Sequence, residues 1–143
     1  MAQTAVKRVL VLDGQGGGIG AQLIRLLRPV LPEGYSLLAV GTNVMATSAM
    51  LKAGAAQGAT GENAVICNAA RADLILGPIG VILANGILGE VSPAMASAVS
   101  GAEAVKILIP SNTCGVQVAG AEELRLEESL RHAVELARKA LGV

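Results

Sequence analysis

A chain of 143 residues has room for one domain, spanning 1–143, with a proper hydrophobic core. Apolar residues make up 52% and charged ones 15%, a balance that excludes a disordered chain. Tyr35 is the only aromatic residue and the formal net charge is zero, so neither a stacking platform nor a basic surface is offered to nucleic acid.

The first strand is predicted over Lys7–Leu12, apolar on both faces as a central parallel strand should be. It runs into Asp13-Gly14-Gln15-Gly16-Gly17-Gly18-Ile19-Gly20. A helix follows, with Ile19, Leu23, Leu26, Leu27 and Val30 on one stripe and Gln22, Arg25 and Arg28 on the wet side. Pro29 removes an N–H, so the regular helix is expected to end there.

After a turn at Pro32-Glu33-Gly34, Ser36–Val40 reads as the second strand, ending at Gly41-Thr42-Asn43. Asn43 suits the N-cap of a helix over Val44–Ala53, and Gly54 suits its end. A short third strand is expected at Gln57–Thr60. Thr60 then caps a helix over Gly61–Arg71, although Ala64–Cys67 taken alone also reads as a strand.

Asp73–Leu76 is the next strand, ending in Gly77-Pro78-Ile79-Gly80. Val81–Leu88 is apolar almost all round, which predicts a helix buried on most sides, within the chain or against another subunit. Ser92-Pro93 marks the start of a short helix to Val99. Val105–Ile109 is a further strand, and Val116–Val118 a possible edge strand. The last helix carries Leu126, Leu130, Val134, Ala137 and Leu141 on one stripe. Its other face spaces Glu127–Arg131, Glu128–His132 and Glu135–Lys139 for ion pairs.

Alternating strands and helices joined by short glycine-rich loops predict a three-layer α/β fold with a parallel sheet. With a short third strand, right-handed crossovers favour the order 3-2-1-4-5. This is a Rossmann-like arrangement, in which ligands lie beyond the carboxyl ends of the strands where the order reverses. The uncharged stretch Leu74–Gly89 is too short and broken for a membrane span. No secretory signal is read at the start, and Cys67 and Cys114 suggest no disulfide framework, so a cytoplasmic protein is expected.

The glycine turn carries the functional reading. Its spacing does not meet Gly-x-Gly-x-x-Gly, because Ile19 stands where the third glycine belongs. It does meet Gly-x-x-x-Gly-Ile-Gly from Gly14 to Gly20, the nucleotide turn of short-chain dehydrogenases, with Asp13 in place of their threonine. Backbone N–H groups at a helix start can hold an anion such as pyrophosphate. A carboxylate at Asp13 repels that anion unless loop N–H groups or a metal neutralise it, and its alternative role is to tie the turn together.

Candidate cofactor-binding residues are therefore Asp13, Gly14, Gln15, Gly16, Gly17, Gly18, Ile19 and Gly20. Thr42 and Asn43 join them near a ribose, then Gly77, Pro78, Ile79 and Gly80, and finally Ser111 and Asn112. Gly77 and Gly80 either admit a ligand close to the backbone or simply make a tight turn. Gly41-Thr42-Asn43 offers no charge to choose between NAD and NADP.

Catalytic groups are scarce. Tyr35 has no lysine four residues on, His132 lies opposite the apolar stripe, and no histidine in a facing loop activates Cys114. Cys67 reads as a small buried apolar group. Glu90 and Asp13 remain a conceivable acid–base pair, and the scattered Cys and His residues make no metal site.

The strings Asp13–Gly20, Gly41–Asn43, Ala46–Gly54, Gly58–Asn63 and Gly77–Gly80, taken together, resemble the bacterial domain-of-unknown-function family three-eight-four-two over nearly the whole chain. The resemblance implies a short Rossmann-like protein and brings no substrate, reaction or catalytic residue. The expectation is a nucleotide-binding domain, for NAD, NADP or a related adenine nucleotide. Its rival is a non-catalytic homo-oligomer that uses the fold as a sensor or scaffold.

Overall fold

The computed structural model describes residues 8–111, 115–121 and 124–143. Five parallel strands make one sheet: β1 (Arg8–Asp13), β2 (Ser36–Gly41), β3 (Gln57–Thr60), β4 (Leu74–Pro78) and β5 (Val105–Ile109), in the order β3-β2-β1-β4-β5. The helices are α1 (Gly18–Leu27), α2 (Val44–Ala53), α3 (Glu62–Arg71), α4 (Pro93–Ser100) and α5 (Leu126–Leu141). The expected strand order and layering are therefore present.

The alternation of a strand's side chains builds two cores from one sheet. Val9 and Val11 point to the side of α1, α2 and α5, where Leu23, Leu27, Met50, Leu130 and Ala137 pack on them. Leu10 and Leu12 point to the other side, against Val65 and Ala69 of α3 and Met95 and Val99 of α4. With no phenylalanine or tryptophan, both layers are aliphatic.

Local signals fix several boundaries. Asn43 Oδ1 accepts the Ala46 N–H at 2.9 Å and starts α2, while Gly54 ends it at φ 125. Ser92 Oγ accepts the Met95 N–H at 3.1 Å, starting α4. Pro29 falls in a short 3-10 turn, Arg28–Val30, so α1 stops where the missing N–H requires.

Four local expectations are corrected. Val81–Leu88 is not a helix: Ile79–Ile82 forms a 3-10 turn and a hydrogen-bonded loop follows it, with Leu88 90% exposed. The helix expected over Gly61–Arg71 is α3, with Ala64–Cys67 inside it, but its N-cap is Gly61 and not Thr60, and Cys67 is half-buried, not buried. Val116–Val118 is irregular, so it adds no strand to the edge. On α5, Leu126 is largely exposed, and among the described residues the ion pair is Arg138–Glu135 at 3.6 Å, not the expected four-residue pairs. Glu128 instead accepts the Arg125 N–H at 2.9 Å at the helix start.

The sheet opens where the strand order reverses. β1 stays paired with β2 up to Asp13 beside Gly41, but its register with β4 ends at Val11 beside Leu76. Both strands continue past that point, so a crevice forms between their carboxyl ends.

Candidate functional site

Asp13 ends β1 and is only 5% exposed. Its Oδ1 accepts the Gly14 N–H and its Oδ2 the Gly20 N–H, each at 2.7 Å. Gly20 is the third residue of α1, and the N-cap residue, Gly17, has no side chain to cap it. Asp13 therefore does from the strand what an Asp or Ser N-cap does from the helix. Burial pushes the Asp13 carboxyl above its ordinary 3.8. The amides of Gly20, Gly14 and Ile19 pull it back, and the charge of Glu90 adds to the push.

Glycine is required at two places in this turn. Gly17 sits at φ 74, and a Cβ there would stand 2.8 Å from the Ala46 carbonyl oxygen of α2. At Gly20 a Cβ would meet Met50 Sδ at 2.5 Å and the Asp13 Cβ at 3.0 Å, so its absence lets the carboxylate reach the helix.

A second carboxylate lies over the turn. Glu90 comes from the loop between β4 and α4, and its Oε1 accepts three donors. These are the Gln15 N–H at 2.8 Å, the Thr42 hydroxyl at 2.6 Å and the Asn43 side-chain amide at 3.1 Å. The Gln15 amide, then the Thr42 hydroxyl, hold the Glu90 carboxyl below its ordinary 4.5; partial burial opposes them and Asn43 assists. Asn43 also donates to the Gln15 carbonyl at 3.0 Å. A Cβ on Gly14 would stand 2.6 Å from Thr42 Oγ1 and 2.7 Å from Glu90 Oε1. Glycine at that position makes the contact possible.

Thr47 shapes the same corner from α2. Its buried hydroxyl accepts the Gly41 N–H at 3.1 Å and lies 2.7 Å from Thr60 Oγ1 and 3.1 Å from the Ala59 carbonyl. It joins the carboxyl ends of β2 and β3 and so fixes where Thr42 and Asn43 stand. Nothing in its sequence spacing singles it out.

A cleft of about 300 Å³ opens at the end of the sheet, lined by Asp13, Gly14, Gln15, Ile19, Pro78, Gly80, Ile87, Leu88 and Ser111. The predicted site residues thus divide. Seven of them meet around this cleft, while Thr42 and Asn43 are engaged by Glu90 outside its lining. Gly77 is buried inside the sheet, where a Cβ would collide with the Leu12 carbonyl of β1. Gly80 makes room for Ile87, whose Cγ1 would be 2.9 Å from an added Cβ. Ile79 is half-buried in the 3-10 turn, and Asn112, with Cys114, lies outside the described residues.

The amides of the turn are mostly taken. Asp13 holds those of Gly14 and Gly20, Glu90 holds that of Gln15, and the Gly17 N–H donates to the Gly14 carbonyl at 2.9 Å. Among the described residues, no acceptor meets the Gly16 or Gly18 N–H, and both positions face open space. His132 is exposed on α5 and is not among the residues that line the cleft. Among the described residues, no group of three His, Cys, Asp or Glu is placed to hold a metal ion, and no helix is long and apolar enough to cross a membrane.

The fold and crevice define an open, singly layered parallel sheet covered by helices on both faces, with its cleft at the reversal of strand order. The chain belongs to the family described as Domain of unknown function (DUF3842), which matches residues 8–142. None of the curated proteins compared with it is similar. Among solved structures, a dodecameric FMN-dependent UbiX-like decarboxylase from Escherichia coli O157:H7 is 16% identical with a TM-score of 0.49, over 94% of this chain and 95% of that one. AibC is 18% identical with a TM-score of 0.48, over 96% of this chain but 43% of its own. These likenesses concern the fold alone.

Proposed function

We propose that the chain, acting as one domain, binds a small phosphorylated ligand of the nucleotide class at the crevice between β1 and β4. The observation that carries this reading is the pair of unpartnered N–H groups at Gly16 and Gly18, on an open rim at the start of α1. They flank a cleft whose lining includes the apolar side chains of Ile19, Pro78, Ile87 and Leu88, suited to the flat face of a ring.

Size narrows the class. A cleft of about 300 Å³ is at the lower end of ligand-binding cavities, which favours one nucleotide over two. The place where the adenosine ribose of NAD or NADP would lie in the usual pose, beside Thr42 and Asn43, is taken by Glu90. An adenine mononucleotide held within the cleft, its ribose away from Thr42 and Asn43, therefore fits the reading better than either dinucleotide.

A thermal-shift panel of AMP, ATP, NAD, NADP and coenzyme A tests it. AMP should raise the midpoint with increasing concentration, as linkage requires. Gly18→Asp, which places a carboxylate on the open rim, should abolish the response and leave the fold intact. A flat response to every nucleotide overturns the reading.

A second reading has its own observation. Among the described residues, Asp13 is the one titratable residue lining the cleft, and both its oxygens are occupied by backbone amides. This favours a sensor or scaffold, working as a homo-oligomer, over a catalyst. Light scattering that finds only monomer would remove the oligomer from it.

A further inference from the structure

We infer that the Gln15 N–H, the Thr42 hydroxyl and the Asn43 side-chain amide form an oxyanion subsite that Glu90 fills from within, and that a diphosphate takes this subsite by displacing the 85–90 loop. The inference rests on the reading above for where the rest of a ligand lies. The subsite itself rests on its own geometry.

Three donors from two separate turns converge on one oxygen, Oε1 of Glu90, at 2.6–3.1 Å. All three are uncharged. Such a set recognises an oxyanion by direction and not by net charge, as backbone phosphate sites do. Among the described residues, nothing donates to the other oxygen, Oε2. The carboxylate therefore engages the subsite through one atom, and a phosphoryl oxygen offers the same acceptor. Gly14 and Gln15 line both this subsite and the cleft wall, so one ligand can span the two places.

The loop that delivers Glu90 is built to leave. Asn85, Ile87 and Leu88 lie at φ 64, 54 and 53, a left-handed conformation that non-glycine residues rarely adopt and that a β-branched isoleucine disfavours most. This local strain is sustained by what holds the loop down: the grip of Glu90 and the contact of Ile87 with Gly80 and Gly14. The loop's backbone bonds run within it and to the residues that flank it, the Gly86 N–H reaching the Leu83 carbonyl at 2.9 Å and the Val91 N–H the Gly86 carbonyl at 3.1 Å. Asn85 N–H reaches the Val91 carbonyl at 2.7 Å, and Glu90 N–H reaches the Ile87 carbonyl at 3.0 Å. The Glu90 side chain can therefore release its three donors while its own N–H stays paired with the Ile87 carbonyl.

A subsite filled by its own chain binds an external anion more weakly, by the fraction of molecules in which it is vacant. Removing the occupant should therefore strengthen binding. Calorimetric titration of inorganic pyrophosphate and of AMP into wild type and Glu90→Ala tests this. Pyrophosphate should bind Glu90→Ala at least tenfold more tightly than wild type, with AMP affinity little changed. If Glu90→Ala does not fold, Glu90→Gln, which keeps the size and weakens the acceptor, should give a smaller gain of the same sign.

Equal or weaker pyrophosphate binding in the folded variant overturns the inference. If wild type binds AMP and the variant gains nothing for pyrophosphate, the displaceable subsite falls and the mononucleotide reading stands. If the variant gains pyrophosphate binding and neither protein binds AMP, the subsite stands and the mononucleotide reading falls. Silence from both proteins toward both ligands overturns both.

Discussion

The Glu90 carboxylate accepts the Gln15 N–H at 2.8 Å across 75 residues of sequence. This bond ties the loop after β4 to the turn after β1, and Thr42 and Asn43 tie both to the turn after β2. Three connections at the carboxyl end of the sheet are thus fastened at one oxygen atom. Asp13 fastens the same turn at Gly14 and Gly20, so two carboxyls hold one glycine loop through different amides.

Those two carboxyls respond to pH in opposite senses. Glu90 is held below its ordinary 4.5, so its contribution to stability is fully present above 4.5 and is lost as pH falls through its lower folded value. Asp13 is raised above 3.8, so the folded state favours its protonated form; that contribution is present below 3.8 and fades as pH rises through the folded value. Urea denaturation of wild type and Glu90→Gln should differ by a constant amount above pH 4.5, and the difference should shrink in more acidic solution. A difference that does not vary with pH would mean that the charge on Glu90 is irrelevant to its bonds.

Asp13→Ala removes a helix cap and leaves the N–H groups of Gly14 and Gly20 without acceptors. The expected loss is about 2–3 kcal/mol in denaturant titration. Asp13→Asn should retain part of that stability, because its amide oxygen still accepts one N–H and no buried charge remains. If Ala and Asn variants are equally unstable, the capping role assigned to the carboxylate is wrong.

Capping chemistry made much of this fold legible in the sequence. Asn43 with Gly54 bounds α2, and Ser92-Pro93 starts α4, because each residue acts on the backbone within a few positions of itself. The departure of Asp13 from the threonine of the dehydrogenase turn was visible as well, and its role as a tie to loop amides was one of the two readings open. Val81–Leu88 misled because apolar residues on every side describe a buried helix and a loop folded over an apolar cleft equally well. The left-handed backbone at Asn85, Ile87 and Leu88 leaves no mark in those side chains, since such a conformation ordinarily announces itself through glycine. The grip of Glu90 was hidden for another reason. Its donors lie 47, 48 and 75 residues away, and only the strand order brings them together.

Glycines in the two halves of the site should differ sharply. A Cβ at Gly77 would run into the Leu12 carbonyl and push β4 from β1 at the mouth of the crevice. Gly77→Ala should cost about 3 kcal/mol or more, at the upper end for overpacking, because the obstacle is backbone and cannot rotate away. Gly18→Ala meets nothing within 4 Å and requires no positive φ. It should be neutral or stabilising by up to about 1 kcal/mol through the unfolded chain. Thermal midpoints of the two variants check the contrast, and similar midpoints would refute the packing role of Gly77.

Leu88 offers a separate test of strain, because its side chain is 90% exposed while its backbone sits at φ 53. Leu88→Gly relieves a left-handed penalty of about 1–2 kcal/mol. Against that stands the extra freedom glycine gives the unfolded chain, about 0.5–1 kcal/mol. Burial is too slight for lost packing to enter the comparison. The balance predicts a variant as stable as wild type or more stable by up to about 1.5 kcal/mol, an unusual sign for replacing leucine with glycine. Equilibrium unfolding in urea measures it directly. A loss of stability instead would mean that the loop is not strained at Leu88, and that Glu90 is held down without opposing force.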